Sequence, residues 1–241
     1  MTHSSVPGWE NYTQPLAGLG LPDLFFARAD AYLGALQSAN RDVNLVSSAT
    51  VNDLRLHVVD SVQALRGAPV DSPCRAIDVG SGGGFPGVPL AIARPQWDVS
   101  LLDSLRKKQV ALQSISSNLG WTNVHPLCAR AEELARDPAH RESYDLAFCR
   151  AVGRFSTVLE LTLPLLKVGG LALLHRGHEG PIELDAAQSV LSKLGGKTGH
   201  ILSYGIVGLD FGRFIICIEK SSQTCDVFPR RPGVPEKKPL A

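Results

Sequence analysis

From residue 78 to residue 89 the chain reads Asp78-Val79-Gly80-Ser81-Gly82-Gly83-Gly84-Phe85-Pro86-Gly87-Val88-Pro89. Apolar runs flank this stretch, Ala76-Ile77 before it and Leu90-Ala91-Ile92-Ala93 after it. The pattern predicts a strand, a glycine turn and a helix. Five of the eight positions from 80 to 87 are glycine. Without a Cβ they can take φ > 0 and let a ligand lie against the backbone. Pro86 and Pro89 fit a first helical turn, where a missing N–H costs little. In an open α/β sheet, the first such turn is where nucleotides sit. The alternative is a turn that only tightens strand–helix packing, and the glycine density argues against it.

Two ligands compete for the loop. Gly82-x-Gly84-x-x-Gly87 has the form of the dinucleotide fingerprint, which alone is a weak signal. Asp78 points elsewhere. A carboxylate at the strand end would repel a pyrophosphate just beyond it, but it suits the ammonium of an amino-acid-bearing cofactor such as S-adenosylmethionine.

The rest of the chain supplies the frame for this loop. Strands are expected at Arg75–Val79, Val99–Leu102, Val124–Cys128, Asp145–Cys149 and Leu171–Leu174. Two further β-like runs, His200–Val207 and Arg213–Glu219, suit a terminal hairpin-like pair. Helices fall between them. One carries Leu105, Val110, Leu112, Ile115 and Leu119 and ends at Gly120. Another covers Phe155–Leu166, with Lys167 in its last turn and Gly169-Gly170 after it. A third runs near Ile182–Leu194 and stops at Gly195-Gly196. Strands alternating with helices mean a doubly wound, mostly parallel α/β sheet, here of seven strands. Before it, Phe25, Ala29, Tyr32, Leu33 and Leu36 line one helical face. Asn40–Leu45 reads as a loop. Thr50-x-x-Asp53 has the form of a capping box, and Leu54, Val58, Ser61, Val62 and Leu65 make a second amphipathic helix. His57 lies near that stripe and reads as a packed core residue. The expected division is a helical extension over 1–67, a ligand-binding domain over 68–220 and a tail over 221–241.

Functional residues should gather at the carboxyl ends of the strands. Asp103 ends the second strand, 19 residues beyond Gly84. At that spacing an acid takes ribose hydroxyls, and an N-cap role for the next helix is compatible. Arg130-Ala131-Glu132-Glu133 follows the third strand. It reads either as backbone that brackets an adenine or as a solvated first turn with acids favoured by the helix dipole. Arg150 ends the fourth strand and reads as ligand-facing. His175 and His178 have no third partner in sight, so no metal site is expected.

Composition sets limits. The chain has 241 residues, a net charge of +1 and 44% apolar residues, which suits one main domain with a real core. Any nucleic-acid surface must therefore be local. The five cysteines form no Cys-x-x-Cys pair and read as reduced, cytoplasmic thiols. No apolar segment is long enough for a bilayer, and the start has no secretory signal. From 229 to 241 the chain carries four prolines, four basic residues and one acid, so +3. That composition predicts either a solvated tail or an extended basic arm that touches phosphates.

The motifs together resemble the bacterial glucose-inhibited division protein B family, the 16S ribosomal RNA guanine-N7 methyltransferases of type G. The resemblance rests on Asn44-Leu45, His57-Val58-Val59-Asp60-Ser61, Asp78–Pro89 and Leu101-Leu102-Asp103-Ser104-Leu105 with Lys107-Lys108. Arg130-Ala131-Glu132-Glu133, Arg150-Ala151 and the Pro-Arg-Arg-Pro-Gly-x-Pro tail extend it. It implies a Rossmann-like class I S-adenosylmethionine-dependent methyltransferase acting on 16S ribosomal RNA or the small ribosomal subunit, cytoplasmic and monomeric. It also implies cofactor contacts at Gly80, Phe85, Ala131, Glu132 and Arg150, to which the loop reading adds Asp78, Gly82, Gly84 and Asp103. Lys107, Lys108, Arg176, Arg230 and Arg231 are the expected RNA cations. Two departures stand out: Val46 replaces a threonine and Arg176 a lysine, which keeps the charge but presents a planar fork. No catalytic side chain is assigned. The competing readings are an NAD(P)-dependent Rossmann oxidoreductase and a ribosome-binding module with a dead cofactor pocket.

Overall fold

Seven strands form one sheet in the order β3-β2-β1-β4-β5-β7-β6. They are β1 (Arg75–Val79), β2 (Asp98–Asp103), β3 (Val124–Cys128), β4 (Tyr144–Arg150), β5 (Leu166–Arg176), β6 (Gly196–Tyr204) and β7 (Arg213–Lys220). The computed structural model describes residues 7–47, 53–68, 72–206 and 212–241. Strands β1 to β5 run parallel, and β7 enters antiparallel between β5 and β6. Strand order reverses between β1 and β4. The crevice outside their carboxyl ends is thus the topological switch point, where α/β proteins bind ligands.

The central strands are apolar on both faces because helices cover both. Side chains alternate between the two layers with the strand period of two. Ala76, Leu146 and Phe148 pack on one side, Ile77, Val79 and Ala147 on the other. Helices α1 (Phe25–Ala39), α2 (Leu54–Val62), α3 (Gly87–Ala93) and α4 (Arg106–Asn118) bring buried residues to the first side. The face of α1 that is buried is Phe25, Ala29, Tyr32, Leu33 and Leu36, as the spacing predicts. The N-terminal helices and the sheet thus share one core. On the other side lie α5 (Ala131–Leu134), α6 (Phe155–Thr162), α7 (Gly180–Ala186) and α8 (Gln188–Leu194).

The structure corrects five local expectations. Asp53 is itself the cap of α2, its carboxylate accepting from Leu56 N at 3.1 Å, and Thr50 lies outside the described residues, as does Val207. The helix after β4 is α-helical only to Thr162. Pro164 lacks an N–H, a 3-10 turn over Leu163–Leu165 follows, and β5 begins at Leu166. Lys167, Gly169 and Gly170 are therefore strand residues, and Lys167 Nζ meets Asp145 of β4 at 2.7 Å. The segment near Ile182–Leu194 is two short helices meeting at Ala187, the second closed by left-handed Gly195. On α4, Leu105 and Val110 are exposed, because the face turned inward carries Gln109, Leu112, Ile115 and Ser116.

The tail is the largest departure. It is neither solvated nor an extended arm. Pro229 and Pro235 are buried. Arg141 donates to the carbonyls of Thr224 at 2.7 Å and Phe228 at 2.9 Å, and Arg136 to that of Pro229 at 2.6 Å. Arg230 grips the buried Glu160 of α6. A last turn of helix, α9 (Val234–Lys237), lies against α6, where Thr157 Oγ1 donates to Pro235 O at 2.8 Å. Composition misleads here because the docking uses main-chain carbonyls. Proline leaves them free of any ladder, and arginines elsewhere in the chain take them.

Candidate functional site

The glycine loop takes the shape its sequence demands. Gly80, Gly82 and Gly84 have φ of 79°, 55° and 93°, in the left-handed region that other residues avoid. A Cβ on Gly84 would lie 2.7 Å from both Tyr32 Oη and Val88 Cγ2. Tyr32 also donates its hydroxyl to Gly83 O, which ties the loop to α1. On the sheet side, Gly80 N and Ser81 N donate to Leu102 O at 2.9 and 3.0 Å.

Beside the loop lies a cavity of about 270 Å³. Its floor is Val79, Gly80, Leu102 and Asp103 at the ends of β1 and β2. Arg130, Ala131 and Glu132 wall one side, Val152, Gly153 and Thr157 another, and Glu236 of the tail closes it. Asp103 divides its carboxylate between Gly82 N at 3.1 Å and Leu105 N at 2.8 Å. It does not cap α4, whose N-cap is Leu105. Gly82 stands back from the cavity and reaches it through Asp103.

Asp78 decides between the two ligand classes. It is fully buried, and its Oδ2 accepts from Gly87 N at 2.7 Å. Gly87 opens α3, so the first amide of that helix is taken by a carboxylate. In a dinucleotide site the pyrophosphate sits at that helix terminus. The oxidoreductase reading fails on this contact. Oδ1 of Asp78 has no partner at all. Burial pushes its pKa up to about 7, against the pull of Gly87 N–H and Arg150. An orphaned carboxyl oxygen buried behind the loop, a positive-φ loop and the Asp103 carboxylate at the cavity floor fit an adenosine that carries an ammonium group.

Phe85 and Arg150 are not in the wall of this cavity. Arg150 turns to Asp60 of α2, whose carboxylate it meets at 2.8 Å, and its guanidinium stands 5.2 Å from the centre of the Phe85 ring. It is thus paired, and it also borders a further cavity. Buried arginine needs a counter-charge, and Asp60, with its side chain 2% exposed, needs one too. Asp60 also accepts from Tyr204 Oη at 2.8 Å, with Arg213 at 3.5 Å, while its carbonyl meets His175 Nε2 at 3.1 Å. Burial alone would raise its pKa, yet His175, Arg150 and Arg213 together hold it below the ordinary value. His57 takes an Arg150 N–H on Nδ1 at 3.1 Å. Burial and then Arg150 lower the His57 pKa to about 4, so the ring is neutral. Sequence reasoning had Asp60 inside a motif without a role and passed over Tyr204 and Arg213. Partners so distant in the chain leave no local signal. A second cavity of about 310 Å³ opens over Arg150, Ala151, His175 and Arg213. Ala151 at its edge has φ of 56°, rare for a residue with a Cβ.

Of the expected RNA cations, Lys107 and Arg231 are exposed and Lys108 is half-buried. Arg106, Lys107 and Lys108 occupy the first turn of α4, where the helix dipole disfavours cations. Arg176 and Arg230 each already have an acidic partner. Arg176 is bound by Glu183 of α7, Nε to Oε2 at 2.8 Å, and stacks near Phe155, while Arg230 is spent on Glu160. Both guanidiniums already have buried or half-buried partners.

Comparison with known proteins agrees with this geometry. Residues 26–207 match the family described as rRNA small subunit methyltransferase G. The chain is similar to the ribosomal RNA small subunit methyltransferase G of Deinococcus deserti, 38% identical over 87% of this chain and 86% of that one. It is similar to its namesake in Moorella thermoacetica, 36% identical over 92% of this chain and 93% of that one. Among solved structures, the fold resembles M. jannaschii TYW2 in complex with AdoMet, with a TM-score of 0.53, 16% identity, and coverage of 68% of this chain and 76% of that one. A putative methyltransferase from Bacillus halodurans has a TM-score of 0.53 at 13% identity, covering 68% of this chain and 99% of that one.

Proposed function

The chain belongs to the rRNA small subunit methyltransferase G family, and from that premise we propose that it transfers a methyl group from S-adenosylmethionine to N7 of a guanine in 16S ribosomal RNA. The observation that carries the cofactor half is the Asp78–Gly80–Asp103 arrangement beside the cavity. In this reading Asp103 and the Ala131-Glu132 backbone hold the adenosine, Gly80 allows the close approach, and Asp78 Oδ1 receives the ammonium.

When bound, the cofactor supplies an electrophilic methyl on a sulfonium. Guanine N7 has a lone pair and no proton, so no general base is required of the protein. The chain's work is to hold the two reactants in line and to exclude water. Charge also matters, because the purine becomes positive as N7 is alkylated. An unpaired guanidinium beside it would oppose that. Asp60 offsets part of the charge of Arg150 and Arg213, and neutral His57 adds none, which limits how far the surroundings resist the transfer.

The RNA would dock by its phosphates on Lys107, Lys108 and Arg231. Five unpaired cysteines suit the reducing cytoplasm, where the enzyme acts as a monomer. Among the described residues no helix is long and apolar enough to cross a membrane.

The test is to map N7-methylated guanine in small-subunit RNA from cells with and without this protein, beside transfer of labelled methyl to naked RNA and to assembled subunits. One guanine should lose its mark without the protein and regain it in vitro. An unchanged RNA in both assays would leave only the reading of a binding module with an inert pocket.

A further inference from the structure

We propose that the C-terminal segment after Arg231 is a wall of the cofactor site and that Glu236 within it is a recognition residue, accepting from the donors of the bound adenosine. The inference rests on the cofactor reading above. The segment lies beyond residues 26–207, the span that carries the family match.

Three contacts fix the segment against the cavity. Gly233 N donates to Glu132 Oε1 at 2.8 Å. Glu132 is 1% exposed and takes Arg130 Nη2 on the same oxygen at 3.0 Å. Burial would raise the Glu132 pKa, but these donors outweigh it and keep the group ionised. Thr157, which lines the cavity, donates its hydroxyl to Pro235 O at 2.8 Å. Between these two anchors the chain turns through left-handed Gly233, with φ of 78°, into α9, which presents Glu236 to the cavity. Further back, Arg230 on Glu160 fixes where the segment starts.

The chemistry of the wall fits one kind of ligand. The acids at the cavity are Asp103, Glu132 and Glu236, against the single guanidinium of Arg130, which Glu132 already neutralises. Such a surface offers acceptors and repels phosphate. Adenosine brings donors, an amino group and two ribose hydroxyls, and carries no phosphate in S-adenosylmethionine. Asp103 and Glu236 come from distant parts of the sequence and meet at one cavity, so two separate carboxylates receive one nucleoside. Glu236 is exposed, and the cation it faces, Arg130, is already paired with Glu132, which suits a group kept for recognition.

The experiment is calorimetric titration of the full-length protein with S-adenosylhomocysteine, which has the same adenosine and no methyl to transfer. Wild type is compared with Glu236→Ala, Glu236→Gln and a chain ended after Arg231, which keeps the Arg230–Glu160 pair. Thermal melting of each without ligand runs in parallel. Glu236→Ala should bind about tenfold more weakly, the low end for hydrogen bonds to a charged group. Glu236→Gln should recover part of that, since its amide oxygen still accepts. Both should melt as wild type does. The shortened chain should lose at least as much affinity. Wild-type affinity in Glu236→Ala, or in a folded shortened chain, overturns the proposal. If the shortened chain does not fold, the two point variants decide. Failure of wild type itself to bind S-adenosylhomocysteine would instead strike at the cofactor reading.

Discussion

Arg230 holds Glu160 in a two-pronged ion pair, with Nη2 2.6 Å from Oε2 and Nε 2.9 Å from Oε1. Glu160 lies in the middle of α6 with no exposed surface, and Arg230 N also donates to Oε1, at 2.8 Å. A buried carboxylate needs a partner, and the tail brings it one. The tail in turn is held by a charge that the core would otherwise reject. Each explains the other, and neither is visible from its own stretch of sequence.

Arg230→Ala should therefore destabilise the protein by about 3–5 kcal/mol, the cost of leaving a buried charge uncompensated. Glu160→Gln combined with Arg230→Met should recover most of that, because no charge is then stranded. Urea unfolding followed by circular dichroism measures both. A single variant within a few tenths of a kcal/mol of wild type would mean that the tail is only loosely docked.

Gly80 and Gly82 should respond differently to alanine. Both have positive φ, so each substitution costs about 1–2 kcal/mol of backbone strain. A Cβ on Gly80 would also lie 2.6 Å from Val152 Cγ2 across the cavity wall, whereas one on Gly82 meets no atom nearer than 3.9 Å. Gly80→Ala should lower affinity for S-adenosylhomocysteine by at least about tenfold, which corresponds to about 1.4 kcal/mol. Gly82→Ala should lower it less, acting only through Asp103. Equal losses in calorimetry would show that strain in the loop, not the wall, controls binding.

Asp78 gives a pH dependence whose sign follows from its burial. Its folded pKa is raised to about 7, above the ordinary carboxylate value in the unfolded chain. Its contribution to stability is thus fully present below about pH 4 and is lost as the pH rises through about 7. Asp78→Asn removes that titration. The variant should be relatively more stable at pH 8 than at pH 5 when compared with wild type, and it should bind S-adenosylhomocysteine poorly. Amine-bearing ligand should flatten the wild-type profile by supplying the missing cation. Parallel melting curves for the two proteins from pH 5 to 8 would contradict the assignment.

Strand positions and the first helix were legible because their signal is local. Period-two and period-3.6 patterns announce Ile77 or Leu36 without help from the rest of the chain. The glycine loop was legible for the same reason. What escaped depends on partners far apart in sequence. Arg150 and Asp60 are 90 residues apart, and Arg230 and Glu160 are 70 apart. A cation's sequence neighbours do not tell whether it is free for a ligand or already spent on a buried carboxylate. That one ambiguity is why the pairing of Arg150, Arg176 and Arg230 was not legible. The tail adds a second lesson. Proline content describes a segment's own preferences, and here the donors of Arg136 and Arg141 override them.

The same distinction between free and spent cations yields the last prediction, on RNA binding. Of the expected RNA cations, Lys107, Lys108 and Arg231 are still open to phosphate, for Arg176 is engaged by Glu183 and Arg230 by Glu160. Each phosphate contact contributes about 0.7–0.9 to the slope of log affinity against log salt concentration. Replacing Lys107, Lys108 and Arg231 together by alanine should therefore reduce that slope by about two units. Loss of affinity should be greatest at low salt and fade as salt rises. Arg176→Ala should behave in the opposite way. Its side chain is 12% exposed and its guanidinium sits near the Phe155 ring, so the substitution should lower stability and leave the salt slope nearly intact. Filter binding of small-subunit RNA across a salt series, with urea unfolding of the same variants, separates the two outcomes. A reduced slope in Arg176→Ala with unchanged stability would mean that this guanidinium leaves Glu183 for a phosphate when RNA binds.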